Sequence, residues 1–453
     1  MPDNVKEEGY WWLPQDVEAR VPGTLSFSYR DGVRLELLGK FENDATRDPR
    51  GFNILGESTF GKPITIYQAF FEASQTPGGQ PTAGKSSYIA NKAFLGVHFS
   101  KMDDAIFKTI AFQMPYFDAW LQLDILDYQQ QERGFTITYT LPPPMAFEPV
   151  EGISLKVGFT TEGPAIGYAV TDVSFTHRAA FILELSEPSH FNLFVEYISH
   201  LTNLLALAVV APVRPIEVQG WLPRPDADPR AAMAAIQVLL PLYTSPKEDE
   251  IHFFDMLFSY PSIKDKFPAL LTNWFQKREA LQPVFDLFFG ALYNPNPYPV
   301  TTFLNYVQAI ETYHIRTMSN EVDPPDLHRE RVRAILATSP AEHRSWLADK
   351  LSFSNRATLA QRLQEVIDLY PFPVTAQAGS HGAFITRVRD TRNYLTHYDP
   401  PLAEKAQKGG YIKGLSMTLG TLLEGLVIHE LGFPLDEVRQ MQRKRRRFPA
   451  VWF

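Results

Sequence analysis

The chain has 453 residues, a formal net charge of −8 and no cysteine. At about 150 residues per domain, this length predicts roughly two or three domains. A hydrophobic fraction of 45% and a charged fraction of 21% are typical of globular proteins and exclude global disorder. The absence of cysteine excludes disulfides, thiolate-bound zinc or iron–sulfur clusters, and a cysteine nucleophile.

The first 185 or so residues are predicted to be rich in β-structure. Short runs of β-forming residues alternate with Gly, Pro and Asp, and Asp31-Gly32 is typical of a hairpin turn. This pattern predicts a sandwich or a barrel. The aromatic residues Tyr10, Trp11 and Trp12 are interpreted as packing in the domain core or between domains, with a recognition surface as the alternative. The predicted strands cover residues 23–29, 33–38, 64–71, 94–99, 135–140, 153–157 and 180–185.

From residue 190 onward the hydrophobic period becomes helical. We therefore expect an α+β multidomain protein with a β-rich N-terminal domain over residues 1–245 and an all-α helical bundle over residues 246–453. The apolar run at 201–213 is shorter than the roughly 20 residues that span a bilayer, so we expect a buried helix, no membrane partner and a cytoplasmic protein. The predicted helices cover residues 190–210, 303–314, 326–336, 341–350, 356–369, 384–398 and 415–429.

One segment matches a nucleotide-binding pattern. Residues Gly79 to Ser86 fit G-x-x-x-x-G-K-[ST], which binds phosphate only between a strand and a helix. The residues after Ser86 resemble a strand, and no alternation of strands and helices surrounds them. A hairpin loop is therefore the favoured interpretation, with an NTPase kept as the weaker hypothesis.

The helix predicted at 384–398 carries a cluster of polar residues. Arg389, Asn393 and His397 follow one another at intervals of four residues, so they share one face, and Arg392 lies on its edge. Asp399-Pro400 ends the helix, because a residue before proline disfavours helical backbone angles.

These residue types suit the cleavage of a phosphodiester. Histidine exchanges protons near neutral pH, and arginine binds phosphate oxygens through two parallel hydrogen bonds. RNA supplies its own nucleophile, the 2′-OH. The sequence near the motif has no closely spaced carboxylates of the kind that bind metal ions, so a two-metal nuclease is not expected. Polar residues on one helix face are, however, more often simply solvated, and spacing alone does not distinguish the two cases.

Two features extend this pattern into a family resemblance. Arg392-Asn393 followed by His397 near a helix end resembles the R-x4-H motif of HEPN ribonucleases. The helix at 303–314, which carries Glu311, looks like the early HEPN helix with an acidic residue. The N-terminal segments 10–14, 21–25 and 35–39 resemble the N-terminal domain of ApeA-type anti-phage HEPN proteins.

The resemblance implies a metal-independent endoribonuclease, without cofactor, that acts in bacterial abortive infection. It further implies a homodimer formed through the HEPN domain and an N-terminal domain that senses an unidentified phage-derived trigger. By the same resemblance, His397 acts as general base or acid, Arg392 stabilises the scissile phosphate, Asn393 orients one of them and Glu311 is an auxiliary group. The alternative is a non-catalytic HEPN module that binds RNA or a partner protein.

The charge distribution indicates where RNA would bind. Residues 381–453 contain 12 Lys or Arg and 7 Asp or Glu, a net charge of +5, which leaves −13 for the other residues. Five consecutive cations, Arg443-Lys444-Arg445-Arg446-Arg447, are a candidate RNA-contacting patch. Arg443, Lys444 and Arg445 of this run, with Arg389 near the motif, are the predicted RNA-binding residues. Such runs are also common on solvated surfaces.

Overall fold

The computed structural model describes residues 4–41, 49–75, 84–163, 174–223, 234–241, 251–294 and 298–444. The chain divides into two compact units, unit 1 over Met1–Thr272 and unit 2 over Asn273–Phe453. The boundary predicted at 245/246 falls within residues 242–250, which lie outside the described residues, and it stays a prediction.

Unit 1 is built mainly from β-strands, as predicted. Its strands are β1 (Asn4–Leu13), β2 (Asp16–Ser28), β3 (Gly32–Leu38), β4 (Phe52–Ser58), β5 (Pro63–Gln75), β6 (Lys85–Leu95), β7 (Ile106–Gln113), β8 (Leu126–Gln131), β9 (Gly134–Tyr139), β10 (Met145–Val150), β11 (Ile153–Glu162), β12 (Thr176–His190), β13 (Ile216–Trp221) and β14 (Ile236–Leu239). Its helices are α1 (Phe117–Leu121), α2 (Phe191–Val209) and α3 (Tyr260–Ile263), and α4 (Phe267–Leu292) crosses into unit 2.

Six strands of unit 1 close into a barrel. The strand order is β6-β3-β2-β1-β4-β5, and β5 pairs with β6 to complete the circle. Alternate residues point inward, as the two-residue period of a strand requires, and among them Trp11, Leu25 and Leu35 are fully buried. Gly56 is needed beside Trp11, because a Cβ there would lie 2.2 Å from the indole ring. Of the predicted sandwich or barrel, the structure has a barrel. Trp11 and Trp12 are buried, as expected of core residues, whereas Tyr10 is exposed.

The sheet continues beyond the barrel and is covered by α2. From β6 the order runs β14-β13-β7-β12-β11-β10, while β8 and β9 form a separate two-stranded ribbon. Phe191 of α2 packs edge-to-face on Phe94 of β6, with ring centroids 5.2 Å apart. By length and composition alone, α2 and the later helix at 410–430 are apolar enough to span a membrane, but 61% and 72% of their most apolar windows are buried inside the protein. Core helices of globular domains share these properties.

Unit 2 is a helical bundle, as predicted. Its helices after α4 are α5 (Pro299–Thr317), α6 (Pro325–Thr338), α7 (Arg344–Leu351), α8 (Leu359–Leu369), α9 (Phe372–Gln377), α10 (His381–His397), α11 (Gly410–Glu430) and α12 (Leu435–Lys444). The central helix is α11, which packs against α5, α9 and α12, while α10 packs against α5, α8 and α9. Gly425 allows the close approach of Tyr370, since a Cβ there would lie 2.4 Å from its ring.

The strands and helices differ from the sequence prediction in several places. The strand predicted at 94–99 is β6, which ends at Leu95, so only its first two residues are extended in the sheet. Strands β1, β4, β7, β8, β10, β13 and β14 were not predicted. Helices α6 and α7 form as expected, but they contain no buried residue.

Candidate functional site

The helix that carries the motif is α10. Ser380 caps its first turn by accepting a hydrogen bond from the backbone N–H of Ala383, and Tyr398 ends it in the left-handed conformation at φ 50°. The apolar side chains Phe384, Val388 and Leu395 are buried against the bundle, together with the polar Thr391, whereas Arg392 is partly exposed and His397 is exposed. The predicted helix and its end before Pro400 are confirmed.

Arg392 and Glu311 meet between α10 and α5. Nη2 of Arg392 donates to Oε2 of Glu311 over 3.4 Å. The other carboxylate oxygen, Oε1, accepts a hydrogen bond from Nη1 of Arg362 on α8 over 3.2 Å. We call these three residues the arginine–glutamate cluster. The structure therefore brings together two residues predicted from sequence and adds Arg362, which belongs to no recognisable motif.

Asn393 lies beside Arg392, as the resemblance implies. Its Oδ1 accepts a hydrogen bond of 3.4 Å from Nη1 of Arg392. This contact and the Glu311 pair hold two different guanidinium nitrogens, which fixes the plane of the guanidinium. About a third of the Arg392 side chain, 32%, is nevertheless exposed to solvent. A phosphate can therefore reach it.

His397 is the last residue of α10 and is exposed. Its imidazole makes no hydrogen bond to any residue that the structure describes, so both ring nitrogens are accessible there. The neighbouring Tyr398 is also exposed and packs edge-to-face on Tyr394, with ring centroids 5.4 Å apart. The end of α10 thus presents an imidazole and an aromatic ring to solvent.

The described residues that are predicted to bind RNA lie on two helices, Arg389 on α10 and Arg443 and Lys444 on α12. Arg389 does not join the motif, because its Nε and Nη2 bind the adjacent Asp390 at 2.9 and 2.8 Å. Arg443 and Lys444 are exposed in the last turn of α12, and the Arg443 guanidinium lies over the ring of Phe372, 5.1 Å from its centroid. Arg445 lies outside the described residues.

A second polar cluster is buried inside unit 2, and no sequence motif indicates it. Gln442 is fully buried and donates to Oε1 of Glu424 over 2.9 Å and to the carbonyl oxygen of Thr421 over 2.8 Å, while its own Oε1 accepts from the Tyr370 hydroxyl over 2.9 Å. Burial, together with the nearby Glu424 carboxylate, raises the pKa of Tyr306 to about 12. We call these residues the interior cluster.

Two other kinds of site can be compared with the described residues. No group of three or more His, Asp or Glu side chains among them is placed to hold a metal ion. At the nucleotide-binding pattern, Lys85 and Ser86 begin strand β6, which pairs with β5. The helix N-terminus that a P-loop requires does not follow these residues, which supports the hairpin interpretation.

The arginine–glutamate cluster carries an excess of positive charge. Two guanidinium groups surround one carboxylate, so the three side chains carry a net charge of +1. Arg392 is the most exposed of the three. A phosphodiester placed there would lie beside the helix that ends in His397.

Comparison with known families covers most of the chain. The family model for ApeA N-terminal domain 1 matches residues 6–274, and that for Apea-like HEPN matches residues 304–437. Comparison with curated proteins and with solved structures gives no match. The second family range contains Arg392, His397, Glu311 and Arg362. HEPN domains are generally nucleases or RNA-binding modules of defence proteins. The chain, with its β-rich first unit and its helical second unit, belongs to the ApeA family and carries a C-terminal HEPN domain.

Proposed function

We propose that this protein is a metal-independent endoribonuclease that cleaves cellular RNA during anti-phage abortive infection. The observation that carries the proposal is the partly exposed Arg392 guanidinium, held in a cluster of net charge +1 on the helix that ends in the exposed His397. Arginine and histidine together provide the charge stabilisation and the proton transfer that RNA cleavage needs.

In the proposed reaction the 2′-OH of RNA attacks the adjacent phosphorus. The O2′–P bond forms while the P–O5′ bond breaks, which gives a 2′,3′-cyclic phosphate and a 5′-OH. His397 accepts the proton of the 2′-OH or returns one to the leaving 5′ oxygen. Arg392 stabilises the extra negative charge on the phosphoryl oxygens, Asn393 orients its guanidinium, and Glu311 is the auxiliary group that holds it.

The proposed active form is a homodimer through the HEPN domain. Arg392 and His397 are five residues apart, which on a helix is about 7.5 Å along the axis and roughly 140° around it. Within one chain the two side chains therefore leave α10 in different directions. Two copies of α10 facing each other would place Arg392 of each protomer near His397 of its partner, in one composite site.

The remaining parts of the proposal concern control and location. Unit 1 would sense a phage-derived trigger and restrain the nuclease until infection, because an unregulated ribonuclease would harm its host. The proposed site of action is the cytoplasm, where cellular RNA is found. Arg389, Arg443, Lys444 and Arg445 would contribute cationic contacts to the RNA backbone.

One observation favours a second candidate, a HEPN module that binds RNA or a partner without cleaving it. Catalytic histidines are usually oriented by a hydrogen bond to a third group, and His397 has none among the described residues. In that case Arg392 and the C-terminal cations would hold RNA, and no bond would break.

The deciding experiment is sequencing of RNA 5′ ends after induction of the wild-type protein and of His397→Ala. The nuclease proposal predicts new 5′-OH ends in the wild-type sample alone, together with growth arrest. Equal cleavage by both proteins would contradict the role of His397. RNA that stays intact but is retained and protected by the purified protein would favour the binding module.

A further inference from the structure

We propose that Arg362 is a positioning residue for this site: by neutralising Glu311, it leaves the charge of Arg392 available to RNA phosphate. The inference rests on the proposed function, and it assigns a role to a residue of α8 outside the R-x4-H motif. Arg362 itself is not expected to touch RNA, because only 13% of its side chain is exposed.

The first argument is the way in which Glu311 is shared. Its two carboxylate oxygens each accept from a different arginine, Oε1 from Arg362 over 3.2 Å and Oε2 from Arg392 over 3.4 Å. Both guanidinium groups can therefore bind at the same time. A pair of Glu311 with Arg392 alone would be neutral, whereas the three residues together retain one positive charge.

The second argument is the difference in burial between the two arginines. The exposed fraction of the side chain is 13% for Arg362 and 32% for Arg392, with 17% for Glu311 between them. Ion pairs farther from solvent are less screened by water and salt. Glu311 and Arg362 thus form the inner, persistent ion pair. Arg392 is the outer partner, and an RNA phosphate can replace Glu311 as the acceptor of its hydrogen bond.

The third argument is that Arg362 is itself held in place. Its Nε donates to Oδ1 of Asn320 over 3.1 Å, so the guanidinium is bound at both of its edges. The carbonyl oxygen of Asn320 accepts from the backbone N–H of Ala357, just before α8. These contacts connect the end of α5 to the start of α8 and fix Arg362 opposite Glu311.

Removing Arg362 would change the charge that Arg392 experiences. The full carboxylate charge of Glu311 would then act on Arg392 alone, and a phosphate would have to compete with it. We therefore expect Arg362→Met to weaken both RNA binding and cleavage by about tenfold, the order of magnitude of one partly solvated charge–charge interaction. Adding Glu311→Gln should remove the competing charge and restore both properties to within about threefold of Glu311→Gln alone.

The test measures two properties in parallel. Affinity for a labelled single-stranded RNA is measured by fluorescence anisotropy in a His397→Ala background, so that binding is read without cleavage. Cleavage of the same RNA is measured with His397 present. The matched control is Arg331→Met, which removes an arginine paired with one carboxylate, Asp323, at 2.6 Å and is expected to change neither property.

A further variant keeps the test decisive if Arg362→Met does not fold. Because the proposed contribution of Arg362 is its charge, Arg362→Lys, which keeps a positive charge beside Glu311 and loses the hydrogen bond to Asn320, is expected to stay within about threefold of wild type in binding and cleavage. The double variant with Glu311→Gln leaves no unpaired carboxylate and gives the second comparison. A tenfold loss in Arg362→Lys would overturn the proposed role of charge.

The outcomes separate this inference from the proposed function. If RNA is bound but not cleaved and the restoration by Glu311→Gln is seen in binding, the nuclease proposal fails and the role of Arg362 stands. If cleavage depends on His397 but Arg362→Met is unchanged, or its loss is not restored by Glu311→Gln, the role of Arg362 is overturned. A wild-type protein that neither binds nor cleaves RNA overturns both.

Discussion

The arginine–glutamate cluster and the interior cluster of unit 2 each contain a glutamate that accepts hydrogen bonds, and they differ in how much of their charge is exposed to solvent. In the arginine–glutamate cluster, Glu311 is shared by two guanidinium groups and Arg392 is partly exposed. In the interior cluster, Glu424 and Gln442 are both buried, and the Gln442 side-chain amide bonds only to buried partners. One cluster has charge available for a ligand, and the other uses its polar groups to hold helices together.

This comparison makes a separable prediction for each cluster. Changes at the first cluster should alter activity with little effect on folding. Changes at the second should alter folding with little effect on the activity of the folded protein. The two clusters would not be distinct if a variant of the first cluster lost folding stability, or if a variant of the second lost activity while folded.

The largest effect is expected at Arg392. Arg392→Lys keeps the charge but loses the planar, two-pronged geometry that binds phosphate, and cleavage is expected to fall by about 100-fold or more. The midpoint of thermal unfolding should stay close to wild type, since Glu311 keeps its inner partner Arg362 and exposed ion pairs contribute little. Initial rates on one RNA and thermal denaturation of the same samples test this.

A result that would contradict this assignment is a large loss of stability in Arg392→Lys with a normal rate per folded molecule. Arg392 would then resemble the interior cluster. Arg331→Lys serves as the matched control, because Arg331 is bound to a single carboxylate, that of Asp323.

The next effect in size is expected in the interior cluster. Gln442→Leu removes the hydrogen bonds that Gln442 makes to Glu424 and to the Tyr370 hydroxyl, and the loss of a hydrogen-bond partner by a buried group costs about 1–3 kcal/mol. We expect the free energy of unfolding to fall by about 2–4 kcal/mol. Urea denaturation measures this loss, and Gln440→Leu, at an exposed position of the same helix, should change it by less than about 0.5 kcal/mol.

The difference between the clusters also explains what could be predicted from sequence. The motif residues Arg392, Asn393 and His397 lie within one helix, where spacing alone fixes their relation. Glu311 was placed by resemblance, since helix spacing gives no information about another helix. Arg362 and Gln442 belong to α8 and α12 and act through residues distant in sequence, so only the fold reveals them.

The barrel shows the same limit. Strands with clear alternation, such as β3 and β11, were predicted, whereas β1 and β4 were not. At the end of β1, Trp11 and Trp12 are both buried although they are consecutive, which breaks the two-residue period of a strand. Closure of the barrel depends on the pairing of β5 with β6, a contact that local patterns do not encode.

A third prediction concerns the alkaline stability of the interior cluster. The pKa of Tyr306 is raised to about 12 by burial and by Glu424, so its contribution to stability is complete below pH 10, the ordinary pKa, and is lost as the pH rises from 10 to 12. Two pKa units correspond to about 2–3 kcal/mol. Tyr306→Phe should therefore lose less stability than wild type over this pH range.

Urea denaturation at pH 9, 10 and 11 tests this prediction. Tyr411→Phe is the matched control, because Tyr411 is 66% exposed and should leave the pH dependence of wild type unchanged. Equal pH dependence in wild type and Tyr306→Phe would contradict the raised pKa of Tyr306.

The smallest effect is expected at the C-terminal cations, which belong to neither cluster. Lys444 is exposed at the end of α12, so Lys444→Ser should remove one screened contact to the RNA backbone and leave folding unchanged. We expect a weakening of RNA affinity by a few-fold at most, and a decrease of about one in the slope of log affinity against log salt concentration. Fluorescence anisotropy at several salt concentrations measures both quantities. Lys277, whose Nζ pairs with Glu430 at 2.8 Å, provides the control, since Lys277→Ser should leave the slope as it is. An unchanged slope in Lys444→Ser would place this end of α12 outside the RNA-binding surface and confine recognition to Arg392 and its neighbours on α10.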